Sequence, residues 1–372
     1  MSEVNVDLIG NGQSQGDVAN ELITNGRLNI GAMRPFVHTD GRAYMSVYSG
    51  GDPNDPKSYS VRPINTNATL RRDEWKQLDE AIMEVSRQRL GGVDHLISKG
   101  LVYNLGNAMG TTVLEWHDVS DAGEASLTMD GVTRSPGDRP VFQTNYLPIP
   151  IIHVDYEINA RVLAASRNLG NPLDTIMVER AARRVREKIE QMLFTNVTYS
   201  FGEKDDRNKN TIYSYVNHPD RNVVAIGTAW NTLDFDSTGA DGGKIIVEQV
   251  INLKQTSIND YHYGPWVLYI PTGYETVLDK DYDMTTPGTT IRSRIMAIDG
   301  ITEIKVVDTL AANNVLLVQM TSDVVRLIQG MGLTNVEWQT EGKFITKYKV
   351  LAIQVPQIRS DQNGRSGIVH CA

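Results

Sequence analysis

The sequence contains a single cysteine, Cys371, among its 372 residues. One thiol cannot form a disulfide within the chain, so we expect the fold not to depend on oxidation. A catalytic cysteine needs an ordered environment that lowers the pKa of its thiol, and the second-to-last position of a chain rarely supplies one. We therefore interpret Cys371 as incidental to function.

Basic residues and long apolar runs are also scarce. Lysine and arginine total 36 against 45 aspartate and glutamate, which gives a net charge of −9, whereas dedicated nucleic-acid binders are normally basic. No stretch approaches the roughly eighteen consecutive apolar residues of a membrane span. The first residues lack the basic stretch and apolar run of a signal peptide. These absences predict a protein of the cytoplasm with no membrane partner.

Sequence motifs of common enzymes and metal sites are absent or incomplete. There is no Gly-Lys-Ser/Thr phosphate loop and no His-Glu-x-x-His. The seven histidines are scattered, and no two are spaced four residues apart as zinc ligands on a helix would be. We therefore predict no catalytic residues, no cofactor and no metal site.

Three local patterns match a functional motif only in part. Gly12-Gln-Ser-Gln-Gly16 has the spacing of a nucleophile elbow, but turns follow it where repeated strand–helix units would be needed. The acidic run Asp279–Asp283 resembles the start of a calcium loop but lacks its later glycine and glutamate. The run Arg180–Arg186 could bind phosphate, but the interleaved glutamates favour an ion-paired, solvated helix face.

Hydrophobic residues make up 40% of the chain and charged residues 22%, values of a globular protein rather than a disordered or coiled-coil one. Glycines and the turn cluster at 52–56 predict an extended arm with local strands over residues 1–68, with a short helix near Val18–Ile23. A helix is predicted from Leu70 to a stop at Gly91-Gly92, with Thr69 as N-cap. A longer helix of over twenty residues opens at Asn171-Pro172. Its buried face is predicted to consist of Val178, Ala181, Ala182, Val185, Ile189, Met192 and Leu193.

Strands and helices alternate in the C-terminal half, so the fold class is α+β. Helices are predicted at 243–258, 273–280 and 290–297, and strands at 266–270, 304–307 and 315–320. Further strands are predicted at 324–328, 336–340 and 344–355, followed by a polar tail at 359–365.

Between the two N-terminal helices lies a long hairpin-like excursion. Residues 152–158 alternate between apolar and polar side chains, as a half-buried strand does. A two-stranded ribbon is at best marginally stable by itself. Leu114, Trp116 and Phe142 therefore need a surface to bury against, and we predict that these three side chains contact another subunit.

The order of these elements resembles the Hong Kong 97-type capsid fold of tailed bacteriophages and encapsulins, most closely the encapsulin-like major capsid proteins. The residues that carry the resemblance cover about 69–372. They are the first helix with Leu70, Trp75, Leu78 and Arg87-x-x-Leu90, Leu147-Pro-Ile-Pro150 leading into Asp155–Ile158, the long helix to Phe194, Gly264–Leu268 with Thr272-x-Gly-Tyr274, and Val350–Arg359.

The resemblance implies a domain layout. Residues 1–68 would be the N-terminal arm and 102–157 the E-loop. The peripheral domain, with its long spine helix, would combine 69–101, 158–200 and the return strands 326–372. Residues 201–325 would form the axial domain.

The resemblance also implies a structural function rather than an enzymatic one. Hexamers and pentamers of the chain would close into an icosahedral shell around the double-stranded DNA of a tailed phage, enclosed without sequence-specific binding. Implied partners are a portal, a scaffold and a cement or decoration protein, and the implied location is the virion, after synthesis in the cytoplasm of a host bacterium. The retained arm suggests that no large N-terminal scaffolding domain is removed. Two alternatives stay open: an encapsulin compartment shell, and a soluble enzyme with a site near Asp279–Asp283 or His262.

Lysine is missing from one long stretch of the chain. Some relatives with this fold cross-link their subunits through an isopeptide bond between a lysine of the E-loop and an asparagine. No lysine occurs here between Lys99 and Lys188. The sequence therefore predicts that this E-loop forms no such bond.

Overall fold

The structure, a computed structural model, describes residues 34–48, 59–63, 70–85, 91–119, 127, 129, 142–169, 175–197, 199, 211–235, 241–282, 288–341, 344–361 and 363–372. Several predictions lie outside these residues: the glycine loop at 10–16, the short helix near Val18–Ile23, the Thr69 cap and most of the excursion's tip.

The described part contains fourteen strands and seven α-helices. The strands are β1 (Phe36–Val37), β2 (Ala43–Tyr48), β3 (Tyr59–Pro63), β4 (Val102–Asn104), β5 (Val113–Val119), β6 (Phe142–Pro148), β7 (Ile152–Asn159), β8 (Asn222–Val224), β9 (Trp266–Pro271), β10 (Ile301–Val307), β11 (Val315–Gln319), β12 (Val325–Glu341), β13 (Ile345–Ile358) and β14 (Ile368–Cys371). The helices are α1 (Arg72–Val85), α2 (Gly91–Ser98), α3 (Ala160–Leu169), α4 (Ile176–Phe194), α5 (Gly242–Asn259), α6 (Glu275–Leu278) and α7 (Ile291–Met296).

The described part of the N-terminal arm forms a small antiparallel sheet, in the order β1-β2-β3. It is attached to α1 through Trp75, whose indole N–H donates to the Pro35 carbonyl at 2.9 Å, and through an ion pair between Arg34 and Asp79 at 2.6 Å. The prediction of local strands is therefore confirmed for this part of the arm.

The first predicted helix ends earlier than expected. Helix α1 ends at Val85, and Gly91-Gly92 begin a second helix, α2, instead of stopping the first. The reason is tertiary: a β-carbon on Gly92 would lie 2.2 Å from the ring of Phe194, so glycine is needed for α2 to pack against α4.

Helix α4 lies across a four-stranded sheet in the order β4-β12-β13-β7, and together they bury the main core. The predicted buried face of the helix is confirmed at every position. The helix spans 19 residues, about 28 Å at 1.5 Å per residue. It begins at Ile176, so it starts later and is shorter than the sequence predicted.

Two predicted strands of the C-terminal segment are one. Strand β12 runs without a break over 17 residues, with register shifts near Gly330 and Gly332. The sequence predicted separate strands at 324–328 and 336–340. A β-carbon on Gly330 would lie 2.5 Å from that of Ala108, so this glycine permits a close approach of two chain segments.

The excursion at 102–157 is divided by the structure into two parts. Strands β5 and β6 form an isolated hairpin, whereas the flanking β4 and β7 pair with β12 and β13 in the main sheet. Tyr156 explains the position of β7: its ring stacks on Tyr348 at 5.3 Å, and its hydroxyl accepts a hydrogen bond from Asn335 at 2.6 Å.

A five-stranded sheet in the order β10-β9-β11-β14-β8 forms a second core with α5, α6 and α7. The helices and strands predicted for 243–320 are confirmed. The last strand, β14, was not predicted, and it lies in this second sheet rather than with the return strands of 326–372. It buries Cys371, and burial raises the pKa of that thiol to about 11.

Candidate inter-subunit surface

The hairpin of β5 and β6 pairs seven residues on each strand, from Val113 opposite Pro148 to Val119 opposite Phe142. Leu114 and Trp116 lie on β5, and Phe142 lies at the far end of β6. All three were predicted to need burial against another subunit.

The structure separates these three side chains. Leu114 and Trp116 are half-buried and pack against the main core of their own chain, so their contact with another subunit stays a prediction for the surface left exposed. Phe142 is 64% exposed and presents a bare phenyl ring to its surroundings. Among the described residues, Phe142 is therefore the most exposed of the three predicted contacts.

Polar contacts near the tip end of the paired strands fasten the hairpin to the rest of the molecule. Asp118 accepts a hydrogen bond from Asn145 on the opposite strand and forms an ion pair with Arg359 at 3.6 Å. A cleft of about 260 Å³ lies between the hairpin, the segment 211–220 and the end of β13. In the described residues, the buried Nε of Arg359 and Nε1 of Trp116 have no hydrogen-bond acceptor.

A second exposed apolar patch, missed by the sequence analysis, lies where β7 leads into α3. Val162 is 55% exposed and Phe344 is 73% exposed, and the Phe344 carbonyl accepts a hydrogen bond from the Ala160 N–H at 2.7 Å. Val162 and Phe344 are 182 positions apart in the chain, so no local sequence pattern could have predicted that they lie in neighbouring segments.

A buried carboxylate joins α4 to the start of α2. Glu190 is 2% exposed and accepts hydrogen bonds from the Gly92 N–H at 2.8 Å and the Val93 N–H at 3.1 Å. These N–H groups belong to the first turn of a helix, where they lack partners within the helix and favour negative charge. Burial nevertheless raises the pKa of Glu190, and the two hydrogen bonds offset part of that rise.

A charged cluster then connects α2 to the edge strand of the five-stranded sheet. His95 Nδ1 lies 3.0 Å from the Tyr269 hydroxyl, and its Nε2 lies 3.5 Å from a Glu303 oxygen. Burial lowers the pKa of His95. Hydrogen bonds from Lys99 at 2.6 Å and Lys305 at 2.9 Å lower the pKa of Glu303 to about 2.

The described part of the acidic run, residues 279–282, makes ordinary structural contacts. Asp279 forms an ion pair with Arg292 at 2.9 Å, and Asp281 forms an isolated strand bridge with Thr290. Over the described ranges, no three His, Cys, Asp or Glu side chains are placed to share a metal ion. The same residues include no helix with the length and apolarity needed to cross a membrane.

Three of the four arginines in the run form ion pairs, and Arg180 forms none with a described residue. Arg183 and Arg184 both contact Glu187, at 2.9 and 3.0 Å. Arg186 points the other way and pairs with Asp94 of α2.

Comparison with known proteins identifies the family of this chain. A family model described as a family of unknown function, DUF6260, matches residues 65–371. The chain belongs to this family. No curated protein matches this DUF6260 member in sequence.

Solved structures show the fold of this DUF6260 chain. A virus-like particle from Pyrococcus furiosus is 18% identical, with a TM-score of 0.55, and the match covers 80% of this chain and 99% of that one. The capsid of Myoviridae Phage XM1 is 10% identical, with a TM-score of 0.56 and coverage of 74% and 90%. The capsid of a native GTA particle is 12% identical, with a TM-score of 0.50 and coverage of 77% and 90%. The chain has the Hong Kong 97-like capsid fold, as the sequence predicted.

Proposed function

We propose that this protein is the major capsid protein of a tailed bacteriophage. Copies assemble as hexamers and pentamers into an icosahedral shell that encloses double-stranded DNA. The observation that carries the proposal is the fold, which spans 99% and 90% of chains taken from a virus-like particle and a phage capsid. The role is structural, without catalysis.

Each part of the chain has a place in this proposal. The hairpin of β5 and β6 is the core of the E-loop, the four-stranded sheet with α4 is the peripheral domain, and the five-stranded sheet is the axial domain. A portal, a scaffold and a cement protein are the proposed partners. The proposed location is the virion, after synthesis in the cytoplasm of the host.

Electron microscopy and native mass measurement of the purified full-length protein test the proposal. We expect closed particles in the megadalton range. A protein that stays monomeric or dimeric at all concentrations and ionic strengths would contradict it.

A compartment shell of the encapsulin type is the second candidate. The similarity to the virus-like particle from Pyrococcus furiosus favours it, since that match covers nearly the whole of that chain. The contents of nuclease-treated particles separate the two functions. Protected double-stranded DNA supports the phage capsid, and a co-purifying protein cargo supports the compartment.

We predict that the assembled shell contains no covalent ladder through the E-loop. The chain has no lysine between Lys99 and Lys188, so an isopeptide bond from residues 102–157 has no amine donor. On denaturing gels of mature particles, we expect the protein to migrate as a monomer, without a ladder of multimers linked through residues 102–157. Cross-linked peptides that map to 102–157 in mass spectrometry would disprove the prediction.

We predict that Phe142→Ser weakens assembly while leaving the subunit folded. The phenyl ring is 64% exposed, so its removal costs the subunit little but takes about 2 kcal/mol of apolar burial from each subunit contact. The concentration needed for particle formation should rise by more than about tenfold, measured by light scattering. Phe142→Leu keeps an apolar side chain and should assemble nearly as well as the original; equal assembly by all three proteins would exclude a contact at Phe142.

A further inference from the structure

The outer face of α4 is basic although the chain as a whole is acidic. Arg180, Arg183, Arg184 and Lys188 are all exposed on it, and we call these four residues the basic face. Arg183 and Arg184 keep 62% and 76% of their side-chain surface. The whole protein carries a net charge of −9, so this concentration of positive charge is local.

Ion pairs neutralise this face only in part. One carboxylate, Glu187, is shared by Arg183 and Arg184. Glu179 is hydrogen-bonded by the Thr175 hydroxyl at 2.7 Å. Arg180 and Lys188 form no ion pair with any described residue. Among the described residues of this helix face, four cations lie beside two carboxylates, an excess of two positive charges.

The stability of the helix does not account for this arrangement. Arg180 and Arg184, and again Arg184 and Lys188, are four residues apart, where like charges destabilise a helix. An interaction with another molecule is therefore the better explanation for the positive charges of the basic face.

The basic face has the chemistry of a phosphate-binding surface. Residues four apart on a helix are separated by about 6 Å along its axis, so Arg180, Arg184 and Lys188 form a row about 12 Å long. Arginine binds phosphate oxygens through two parallel N–H groups, and lysine binds them as a point charge. A few such contacts give weak, salt-dependent binding without sequence preference.

We propose that the basic face of α4 binds the phosphate backbone of the nucleic acid enclosed by the shell. This inference rests on the proposed capsid function and names the surface through which the shell meets its contents. The contact is compatible with the acidic chain because it uses one row of side chains and leaves the rest of the surface repulsive to DNA.

The test compares Arg180→Gln/Arg184→Gln/Lys188→Gln with the unaltered full-length protein. Binding of unassembled subunits to a labelled DNA duplex is followed by fluorescence anisotropy between about 50 and 200 mM salt. Each lost phosphate contact should reduce the slope of log affinity against log salt by about 0.9. The original protein should therefore lose about 40-fold more affinity than the triple variant over this range.

The matched control removes the same charge elsewhere. Arg62, Arg294 and Lys244 are exposed on β3, α7 and α5, and their replacement by glutamine changes the net charge equally. The control should keep the original slope. An unchanged slope in the test variant, an equal loss in the control, or no binding by the original protein at low salt would each overturn the proposal.

Particle measurements distinguish this proposal from the capsid function itself. If the original protein forms no particles, the proposed function fails, while the duplex assay on subunits still reports on the basic face. If the test variant forms particles with less nuclease-protected nucleic acid per protein, both proposals are supported. If it binds the duplex normally but fails to assemble, the face contacts an acidic surface of a neighbouring copy, and the nucleic-acid proposal is wrong.

Discussion

Replacing Gly92 by alanine should lower the free energy of unfolding by about 3 kcal/mol, a large effect for a single methyl group. The added β-carbon would lie 2.2 Å from one carbon of the Phe194 ring and 2.7 Å from another. The ring cannot move aside easily, because Phe194 is 1% exposed and lies edge-on against Tyr215 and Tyr269 at 5.5 and 5.1 Å.

The same methyl group would crowd the buried carboxylate. It would lie 3.0 Å from a Glu190 oxygen that accepts the Gly92 N–H. A shift of α2 away from α4 would weaken that hydrogen bond and leave a buried carboxylate without full compensation.

Gly91→Ala is a control at the neighbouring position. A β-carbon at Gly91 would have its nearest neighbour, the Val306 carbonyl oxygen, at 3.8 Å, an ordinary contact distance. Alanine should leave stability unchanged or raise it by up to about 1 kcal/mol, because it restricts the unfolded chain. Urea unfolding of the full-length subunit measures both variants. If Gly92→Ala and Gly91→Ala behave alike, the close packing of α2 on α4 is wrong.

Acid should destabilise the subunit strongly, and His218 and His370 should carry much of the loss. The two side chains are 5% and 6% exposed. Burial, with a smaller contribution from Arg221, lowers the pKa of each to about 4, and Asp220 opposes the shift at His218. Each imidazole also receives a hydrogen bond that requires an unprotonated nitrogen, His218 from the Asp220 N–H and His370 from Arg221, both at 3.3 Å.

The direction of the effect follows from the two pKa values of each histidine. In the unfolded chain the pKa is about 6.5, so the unfolded state takes up protons first as the pH falls. The stabilising contribution is complete above pH 6.5 and is lost between about 6.5 and 4. By pH 5 each histidine should have lost about 2 kcal/mol of stability relative to pH 7.

His218→Gln/His370→Gln should therefore lose about 4 kcal/mol less than the original protein between pH 7 and pH 5. The measurement is the free energy of urea unfolding at both pH values, so any cost of the substitutions at neutral pH cancels from the comparison. His95, whose pKa is also lowered, remains in both proteins. His38→Gln, at a side chain that is 52% exposed, should keep the original pH dependence. A double variant with the full acid loss would show that these histidines are not buried as described.

Local patterns predicted the elements that are amphipathic by themselves. The apolar positions of α4 recur at helical spacing, and all seven predicted ones are buried because one face of the helix lies on the sheet. The buried strand β9 is recognisable from a continuous apolar run between turn residues. The order of such elements was enough to indicate the capsid fold.

Predictions that depended on contacts between segments far apart in the sequence were less successful. The return strands were expected to end the fold, but β14 pairs with β11 and β8 of the other sheet. The sequence of a four-residue strand does not indicate which sheet it will pair with. Leu114 and Trp116 were expected to lack cover within the chain, yet the main core covers them in part. Exposure is a property of the assembled fold and has no local signature.

The sequence by itself determined the composition and the periodicity: an acidic α+β chain without internal disulfides, a long amphipathic helix and a stretch free of lysine. Only the tertiary structure decided that Gly92 begins a helix against Phe194 and that the buried Glu190 accepts a hydrogen bond from an N–H group 98 residues away. It also decided that Arg180, Arg184 and Lys188 remain exposed, with Arg180 and Lys188 outside any ion pair with a described residue. Periodicity is set by neighbours along the chain, whereas burial and charge pairing are set by segments that meet only after folding.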